Sequence, residues 1–241
     1  MCGRFGLYLP AQTIASFFLI LNEPDHPPRY NIAPTQPVLA VFQSPAGRRG
    51  VPMRWGLIPH WARDIKIGAK LANARSETLH EKPSFRTAFN RRRCLIPADG
   101  FYEWVAVKGR KQPYFIRRRD GNPLAFAGLW EVWVAADQSE LVSCTIVTTA
   151  ANREMTPVHH RMPVILEPGQ FDRWLDPDNQ NPRSLCDLMR PMRDGGLVLQ
   201  AVDDYVNRTG NEGPRCIEPA ATFPTPSSPP EPPAQMNLFE D

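Results

Sequence analysis

Nine short runs of apolar, β-branched and aromatic residues follow one another along this sequence, and they constrain the fold more than any other feature. Turns rich in proline, glycine or aspartate separate some of them, at residues 45–50 and at Asp99-Gly100, which is typical of strands joined by turns. The runs cover residues 38–42, 51–58, 94–97, 100–107, 113–117, 124–134, 141–149, 163–166 and 197–202. Short helices are indicated only at residues 10–21, 169–175 and 183–190, with a helical turn at 150–155. The pattern predicts a mostly antiparallel α+β fold around a distorted barrel.

The composition divides the chain near residue 217. Residues 218–241 contain seven prolines, no basic residue and almost no large apolar residue before Met236. Such a segment buries too little apolar surface to offset the entropy lost on ordering. We therefore expect one folded domain over residues 1–217 and a disordered tail over residues 218–241. Within the domain, residues 22–37 predict an extended loop and residues 71–78 no regular element.

Positive charge is concentrated in the predicted domain. All 28 lysines and arginines precede residue 217, against 21 of the 25 acidic residues, so this part carries a net charge of +7. Arginine accounts for 23 of the 28 basic residues. Its guanidinium group binds phosphates through two hydrogen bonds and stacks on bases, which favours a nucleic-acid partner.

The five cysteines are an odd number and include no Cys-x-x-Cys pair, which argues against a disulfide framework and a cysteine-rich zinc site. No apolar stretch approaches the ~20 residues of a membrane span. The polar start, interrupted by Arg4, lacks the apolar core of a signal peptide. The sequence therefore predicts a cytoplasmic protein without a metal, a cofactor or a membrane contact.

Cys2 introduces unusual chemistry at the start of the chain. An initiator methionine is removed when the next side chain is small, and its loss leaves Cys2 with a free α-amine beside the thiol. The ordinary pKa is about 7.7–8.0 for the amine and about 8.5 for the thiol, and Arg4 is expected to favour the thiolate. Such an aminothiol condenses with an aldehyde to a thiazolidine, or attacks an amide as an N-terminal nucleophile. A buried cysteine without a chemical role is the alternative.

Four other residues carry groups suited to catalysis. Glu103 lies in an aromatic run, where desolvation raises a carboxyl pKa, although an alternating strand equally suits a solvent-facing glutamate. His159 and His160 are adjacent on a segment predicted to be extended, so that at most one of them faces a given pocket; a surface pair is the alternative. Asn73 can orient a substrate, but asparagine in a loop is more often a turn former.

Six separated motifs place these residues in a common context. They are Met-Cys-Gly-Arg-Phe at 1–5, Tyr-Asn-Ile-Ala-Pro-Thr at 30–35, Arg-Trp-Gly-Leu-Ile-Pro at 54–59, Asn-Ala-Arg-Ser-Glu-Thr at 73–78, Arg-Cys-Leu-Ile-Pro-Ala-Asp-Gly-Phe-Tyr-Glu-Trp at 93–104 and His-Arg-Met-Pro at 160–163. In this order, over residues 2 to about 217, they resemble the SRAP family, the SOS response-associated peptidases. The resemblance implies a single α+β domain with a strand-rich core and a basic groove. It also implies a monomeric, bacterial-type, nucleoid-associated sensor that covalently traps abasic sites in single-stranded DNA.

The resemblance assigns a role to individual residues. Cys2 is expected to be the crosslinking nucleophile, with Asn73, Glu103 and His159 as the other active-site residues. The family pattern His-x-Arg-Met-Pro places the catalytic histidine at His159 and leaves His160 in the variable position. The residues expected to bind DNA are Arg4, Asn31, Trp61, Arg75, Arg86, Thr148 and Arg161. The resemblance implies an enzyme that crosslinks to abasic sites with lyase-type chemistry. It also implies a peptidase activity that includes removal of Met1.

Two other functions remain open from the sequence. The start Met-Cys-Gly-x-x-Gly, completed by Gly6, also resembles class II glutamine amidotransferases, which use an N-terminal cysteine to hydrolyse an amide. Those enzymes need an Asn-Gly oxyanion pair, and this sequence has only the reverse order, Gly-Asn, at 121–122 and 210–211. A non-covalent single-stranded DNA binder with an inert Cys2 is the other alternative.

The end of the predicted tail has a motif of its own. Residues 235–239, Gln-Met-Asn-Leu-Phe, resemble the short peptides with which bacterial replication proteins bind the sliding clamp. The residues expected to make this contact are Gln235, Met236, Leu238 and Phe239. A sliding clamp is therefore a second expected partner, besides single-stranded DNA that contains abasic sites.

Overall fold

A computed structural model describes residues 2–107 and 109–221 of the chain. The predicted clamp-binding peptide lies outside the described residues. The strands are β1 (Phe5–Leu7), β2 (Arg29–Ile32), β3 (Pro37–Ser44), β4 (Gly47–Trp55), β5 (Asn73–Arg75), β6 (Arg93–Ala98), β7 (Gly100–Val107), β8 (Arg110–Arg118), β9 (Leu124–Val134), β10 (Glu140–Ala150), β11 (Arg161–Pro163) and β12 (Leu197–Ala201). The α-helices are α1 (Ala11–Phe18), α2 (Arg86–Arg91) and α3 (Phe171–Leu175), and 3-10 turns span Ile65–Lys70, Pro168–Gln170, Pro182–Met189, Asp204–Asn207 and Pro214–Ile217.

Five strands close on themselves to form the barrel that the sequence predicts. Their order is β10-β4-β3-β6-β9, and β9 pairs back with β10 to complete the ring. The prediction of a mixed α+β fold with a barrel-like core is confirmed, but two pairings of β10 depart from the antiparallel pattern. β10 runs parallel to β4, and also to β5, which is added to its edge. Parallel neighbours need long connections, and here residues 56–139 provide one.

A second sheet packs beside the barrel and contains the start of the chain. Its order is β12-β8-β7-β1-β2. β1 lies between β7 and β2, with Phe5 paired to Phe101 on one side and to Ile32 on the other. Phe5 also packs edge-to-face on Trp55, with ring centroids 5.1 Å apart. Burial of one such ring contributes about 1.5–3 kcal/mol, so this contact fixes Cys2 relative to the barrel.

The structure differs from the sequence-based expectation at the short strands. β1 and β5 fall where the sequence predicts no regular element, and β2 lies within the predicted extended loop. Three or four residues are too few to show an alternating pattern, and these strands form because longer neighbours accept them as partners. α2 is another element that the sequence did not predict, and its inner face buries Ala88 and Phe89.

The expected turn at Asp99 and Gly100 joins two different sheets. β6 belongs to the barrel and β7 to the second sheet, and the two strands do not pair as a hairpin. The carboxylate of Asp99 accepts hydrogen bonds from the backbone N–H groups of Tyr8 and Leu9, the latter at 2.8 Å. The crossover between the sheets is thereby tied to the segment that follows β1.

Among the described residues, no helix is long and apolar enough to cross a membrane.

Candidate functional site

Cys2 is fully buried in the main hydrophobic core, directly before β1. Its Sγ approaches the carbonyl oxygen of Arg4 at 3.9 Å. Burial raises the pKa of the Cys2 thiol far above its ordinary value, and the nearby negative charge of Glu103 raises it further. The thiol is therefore protonated at neutral pH, contrary to the expectation of a readily ionised group.

The side chain of Arg4 points away from the Cys2 thiol. Its guanidinium donates to Asn31 Oδ1 at 2.6 Å and to the carbonyl of Val206 at 3.0 Å, and it lies over the ring of Trp104 at 5.3 Å. The guanidinium charge of Arg4 therefore does not act on the pKa of the thiol as expected, and the contribution of Arg4 that lowers this pKa comes from its backbone. Arg4 and Asn31 form one hydrogen-bonded cluster, and their contact with DNA stays a prediction.

Glu103 lies in the middle of β7 and is only 5% exposed. Its neighbour Tyr102 faces the opposite side of the sheet, where its hydroxyl donates to the carbonyl of Tyr30 at 2.7 Å. Burial raises the pKa of the Glu103 carboxyl, and the nearby charge of His160 opposes this shift. The solvent-facing alternative is therefore wrong, and a buried carboxyl with a raised pKa keeps its proton to higher pH than an exposed one, which suits a general acid.

Asn73 begins β5 and connects Cys2 to the barrel. Its Nδ2 donates to the backbone carbonyl of Cys2 at 2.8 Å. The parallel pairing of β5 with β10 sets Asn73 opposite Ile146 and keeps the amide in place. The Asn73 Oδ1 atom is buried and has no hydrogen-bond donor within residues 2–107 and 109–221. The amide thus holds Cys2 with one end and presents an acceptor with the other.

The two histidines share one side of the segment before β11. The rings of His159 and His160 stack with centroids 4.4 Å apart and an interplanar angle of 22°. The expectation that they point to opposite sides is wrong, because this segment bends instead of extending. His159 Nδ1 lies 3.1 Å from the carbonyl oxygen of Arg161 and 2.9 Å from its backbone nitrogen. In the tautomer with its proton on Nδ1, the ring donates to that carbonyl, and Nε2 carries the lone pair that can accept a proton. Burial lowers the pKa of His159, so its ring is neutral near pH 7.

Arg161 begins β11 and is tied to its neighbours at three points. Its Nη1 and Nη2 donate to the two carboxylate oxygens of Glu77 at 2.6 and 2.9 Å. Its Nη2 also donates to the carbonyl of Thr148 at 2.7 Å. Thr148 itself is buried on β10, with its hydroxyl 3.3 Å from the carbonyl of Ala74. Arg161 and Thr148 therefore lie together beside the histidine pair.

The other residues expected to bind DNA are exposed. Trp61 is 49% exposed in the segment after β4. Arg75 ends β5, and its charge acts on His160, so it lies near the histidine pair. Arg86 begins α2 and is exposed. These positions fit contacts with a DNA backbone and bases, and the basic groove stays a prediction.

Sequence reasoning missed two residues next to the site. Glu77 pairs with Arg161, and the half-buried Trp104 donates from its indole nitrogen to Asn207 Oδ1 at 2.6 Å. Trp104 also lines a shallow surface cavity of about 360 Å³ with Arg4, Lys111 and Asn207. Both residues lie inside the quoted motifs. The signal for Glu77 in the sequence was an acidic residue two positions after Arg75, inside a quoted motif.

The described part of the chain contains no group of three or more histidine, cysteine, aspartate or glutamate side chains placed to bind a metal ion.

Named proteins from Bacillus subtilis and Mus musculus are similar to this chain over most of its length. The abasic site processing protein YoqW of Bacillus subtilis (strain 168) is 43% identical over 222 residues, which cover 90% of this chain and 99% of that protein. The abasic site processing protein HMCES of Mus musculus is 30% identical over 271 residues, covering 91% of this chain and 76% of that protein.

Solved structures and a family model agree with these relatives. A protein from Bacteroides thetaiotaomicron has the same fold, with a TM-score of 0.83, 24% identity and coverage of 91% of this chain and 100% of that one. A Bordetella bronchiseptica protein matches with a TM-score of 0.75 and 28% identity, over 84% of this chain and 100% of that one. The model for the SOS response associated peptidases (SRAP) matches residues 1–209. The chain belongs to the SRAP family.

Proposed function

We propose that the chain recognises abasic sites in single-stranded DNA and captures them covalently through Cys2 after Met1 has been removed. The observation that carries the proposal is the hydrogen bond of 2.8 Å from Asn73 Nδ2 to the carbonyl of Cys2. It holds the residue by its carbonyl, which stays in place when the bond to Met1 is cut. The α-amine and thiol of Cys2 are then free to react, next to the buried Glu103.

The reaction begins with opening of the abasic sugar. An abasic deoxyribose is mainly a closed hemiacetal, and opening it to the aldehyde requires a proton on the ring oxygen and loss of the C1′ hydroxyl proton. Glu103, with its raised pKa, is suited to give the first proton. The neutral ring of His159 is suited to accept the second. General acid and base catalysis of this kind contributes about 10²–10⁴-fold to a rate.

Ring closure then uses both groups of Cys2. The amine attacks C1′ to give a carbinolamine, and loss of water leaves an imine. The thiol adds to the same carbon, forming the S–C1′ bond while its proton passes to the imine nitrogen, which completes the thiazolidine. Because burial keeps the thiol protonated, the thiol proton is available for this transfer. Holding the amine, the thiol and the aldehyde together lowers the activation free energy of the reaction by about 7–11 kcal/mol.

One denaturing gel with an abasic single strand tests the proposal. The unaltered protein is expected to give an adduct that survives denaturant, and Cys2→Ala is expected to lose it, apart from a residual imine from the new terminal amine. An intact oligonucleotide is the control, and binding to it without an adduct would favour the non-covalent alternative. An intact-mass spectrum that retains Met1 together with a normal adduct yield would exclude this mechanism. Release of ammonia from an amide substrate would instead favour the amidotransferase alternative.

We further propose that the tail peptide tethers the protein to a sliding clamp. Glu218 and Ala220 are hydrogen-bonded to Asp203 and Ala201 of the domain, so residues 218–221 do not add to the reach of the tail. Residues 222–234, at ~3.1 Å per residue in an extended form, would reach about 40 Å. Burial of Leu238 and Phe239 would contribute about 1.5–3 kcal/mol each, which favours a micromolar or weaker affinity. Anisotropy of a labelled 228–241 peptide titrated with a bacterial clamp measures this affinity. Binding that is absent, or unchanged by Leu238→Ala with Phe239→Ala, would contradict the tether.

A further inference from the structure

The pair formed by Glu77 and Arg161 has the geometry of a bound phosphate. Both carboxylate oxygens of Glu77 accept from the guanidinium, at 2.6 and 2.9 Å. Phosphate oxygens bind arginine in the same two-bond arrangement. The carboxylate therefore occupies the position on Arg161 that a DNA phosphate would need.

The two partners differ in how firmly they are held. The Arg161 side chain is 12% exposed, whereas that of Glu77 is 50% exposed. Arg161 keeps its bond to the Thr148 carbonyl at 2.7 Å and its backbone bond to His159 without any help from Glu77. Glu77 can thus turn into solvent while the guanidinium stays where it is.

The surroundings of the pair are basic. The charges of Arg75 and Arg161 both act on His160, so these cationic groups lie on one side of the site. The contact with Arg161 lowers the pKa of Glu77, which keeps the carboxylate ionised and able to compete with another anion. The positive charges of Arg75 and Arg161 attract a phosphate. To bind Arg161, the phosphate has to displace the carboxylate of Glu77.

We propose that Glu77 is a place-holder for a DNA phosphate: it neutralises Arg161 in the DNA-free protein and is displaced from it when a single strand binds. The inference rests on the proposed DNA binding but not on the chemistry of Cys2. Between encounters the carboxylate neutralises Arg161, while the contacts with Thr148 and His159 hold Arg161 in position. It also makes the site more selective, because an anion must offer enough other contacts to replace an internal partner.

The test compares Glu77→Gln with Glu81→Gln. Both changes remove one negative charge from the same loop, but Glu81 is 71% exposed and contacts His80. Binding is measured by anisotropy with an intact labelled single strand, so that no covalent step contributes. Glu77→Gln is expected to bind about 1.5- to 5-fold more tightly than Glu81→Gln, the span set by exposed ion pairs. Thermal midpoints of both variants establish that they are folded.

A second background isolates the role of Arg161. In Arg161→Ala, Glu77→Gln is expected to change the affinity no more than Glu81→Gln does, because the competition has gone. An equal effect of the two substitutions in the unaltered protein, or weaker binding by Glu77→Gln, would overturn the inference. It would also be overturned if the gain persisted in Arg161→Ala. A protein that binds no single-stranded DNA at all would overturn the proposed function with it.

Discussion

Burial of the Glu103 carboxyl opposes stability while it serves the proposed chemistry. Burial raises the pKa of Glu103 above its ordinary value of 4.5. The folded state then binds more protons than the unfolded state, so stability falls as pH rises through 4.5 towards the folded pKa. We expect Glu103→Gln to raise the thermal midpoint at pH 7 relative to the unaltered protein, and to remove this loss of stability.

The same substitution is expected to slow adduct formation or its reversal by roughly 10²–10⁴-fold, because the proton donor is lost. Thermal melts at pH 4 and 7, together with adduct time courses, measure the two effects. Glu140→Gln, on an exposed residue of β10, is the control. A normal rate in Glu103→Gln would contradict its role in proton transfer.

The histidine pair gives a second prediction for single residues. His159→Ala is expected to slow adduct formation by roughly 10²–10⁴-fold, and His160→Ala far less. Because burial lowers the pKa of His159 below 6.5, the neutral base persists below that pH. The histidine-dependent part of the rate should therefore still be present at pH 6.5 and decline only at lower pH. If His160→Ala proves the more damaging change, the catalytic position is the second histidine of the pair.

Residue types and motifs in the sequence were enough to select the residues around Cys2. They did not predict which of these side chains are buried or what they contact. Glu103 on an alternating strand looked equally suited to water and to the core, and only the packing of the second sheet decides that it is buried. Arg4 is two residues from Cys2, yet its guanidinium bonds to Asn31 and Val206, which are distant in sequence. Proximity along the chain does not predict where a long side chain points.

At the scale of elements, the strands β1, β7 and β8 approach one another closely at Gly100. A Cβ atom at this position would lie 2.3 Å from Phe115 Cζ and 2.7 Å from the carbonyl oxygen of Ile116. Gly100 also pairs with Gly6 of β1, so that displaced strands would disturb the start of the chain. Gly100→Ala is therefore expected to destabilise the fold by about 1–3 kcal/mol.

Chemical denaturation measures this change, with Gly169→Ala as the matched control. A Cβ atom at Gly169 meets nothing within 4 Å. Equal midpoints for the two variants would contradict the close approach of the strands at Gly100.

The sequence predicted the long strands of the barrel because each one carries enough β-branched and aromatic residues to form a pattern. It did not predict β5, which has only three residues and exists because the edge of β10 accepts it in parallel. β5 nevertheless carries Asn73 and Arg75. The elements that position the site are thus the ones whose structure depends most on tertiary contacts.

For the whole molecule, the charge of the domain predicts an encounter that depends on salt. The logarithm of the binding constant for a single strand should fall with the logarithm of salt concentration, by about 0.7 per phosphate contact. Arg75→Ala should flatten this slope by about that amount. Arg49→Ala, at an exposed position of β4 opposite Phe42, should leave it unchanged. A salt-independent affinity of the unaltered protein would argue against a basic groove.

The order in which the chain is synthesised gives the burial of Cys2 a further meaning. The carboxyl, the amide and the histidines that surround it come from residues 73–160, and the barrel closes only when β10 pairs with β9 and β4. A ribosome adds about 5–20 residues per second, so some 150 residues take roughly 8–30 s. Cys2 emerges first and waits uncovered throughout that interval. Under the proposed function, an aminopeptidase reaches Met1 on the nascent chain, before the walls of the site exist.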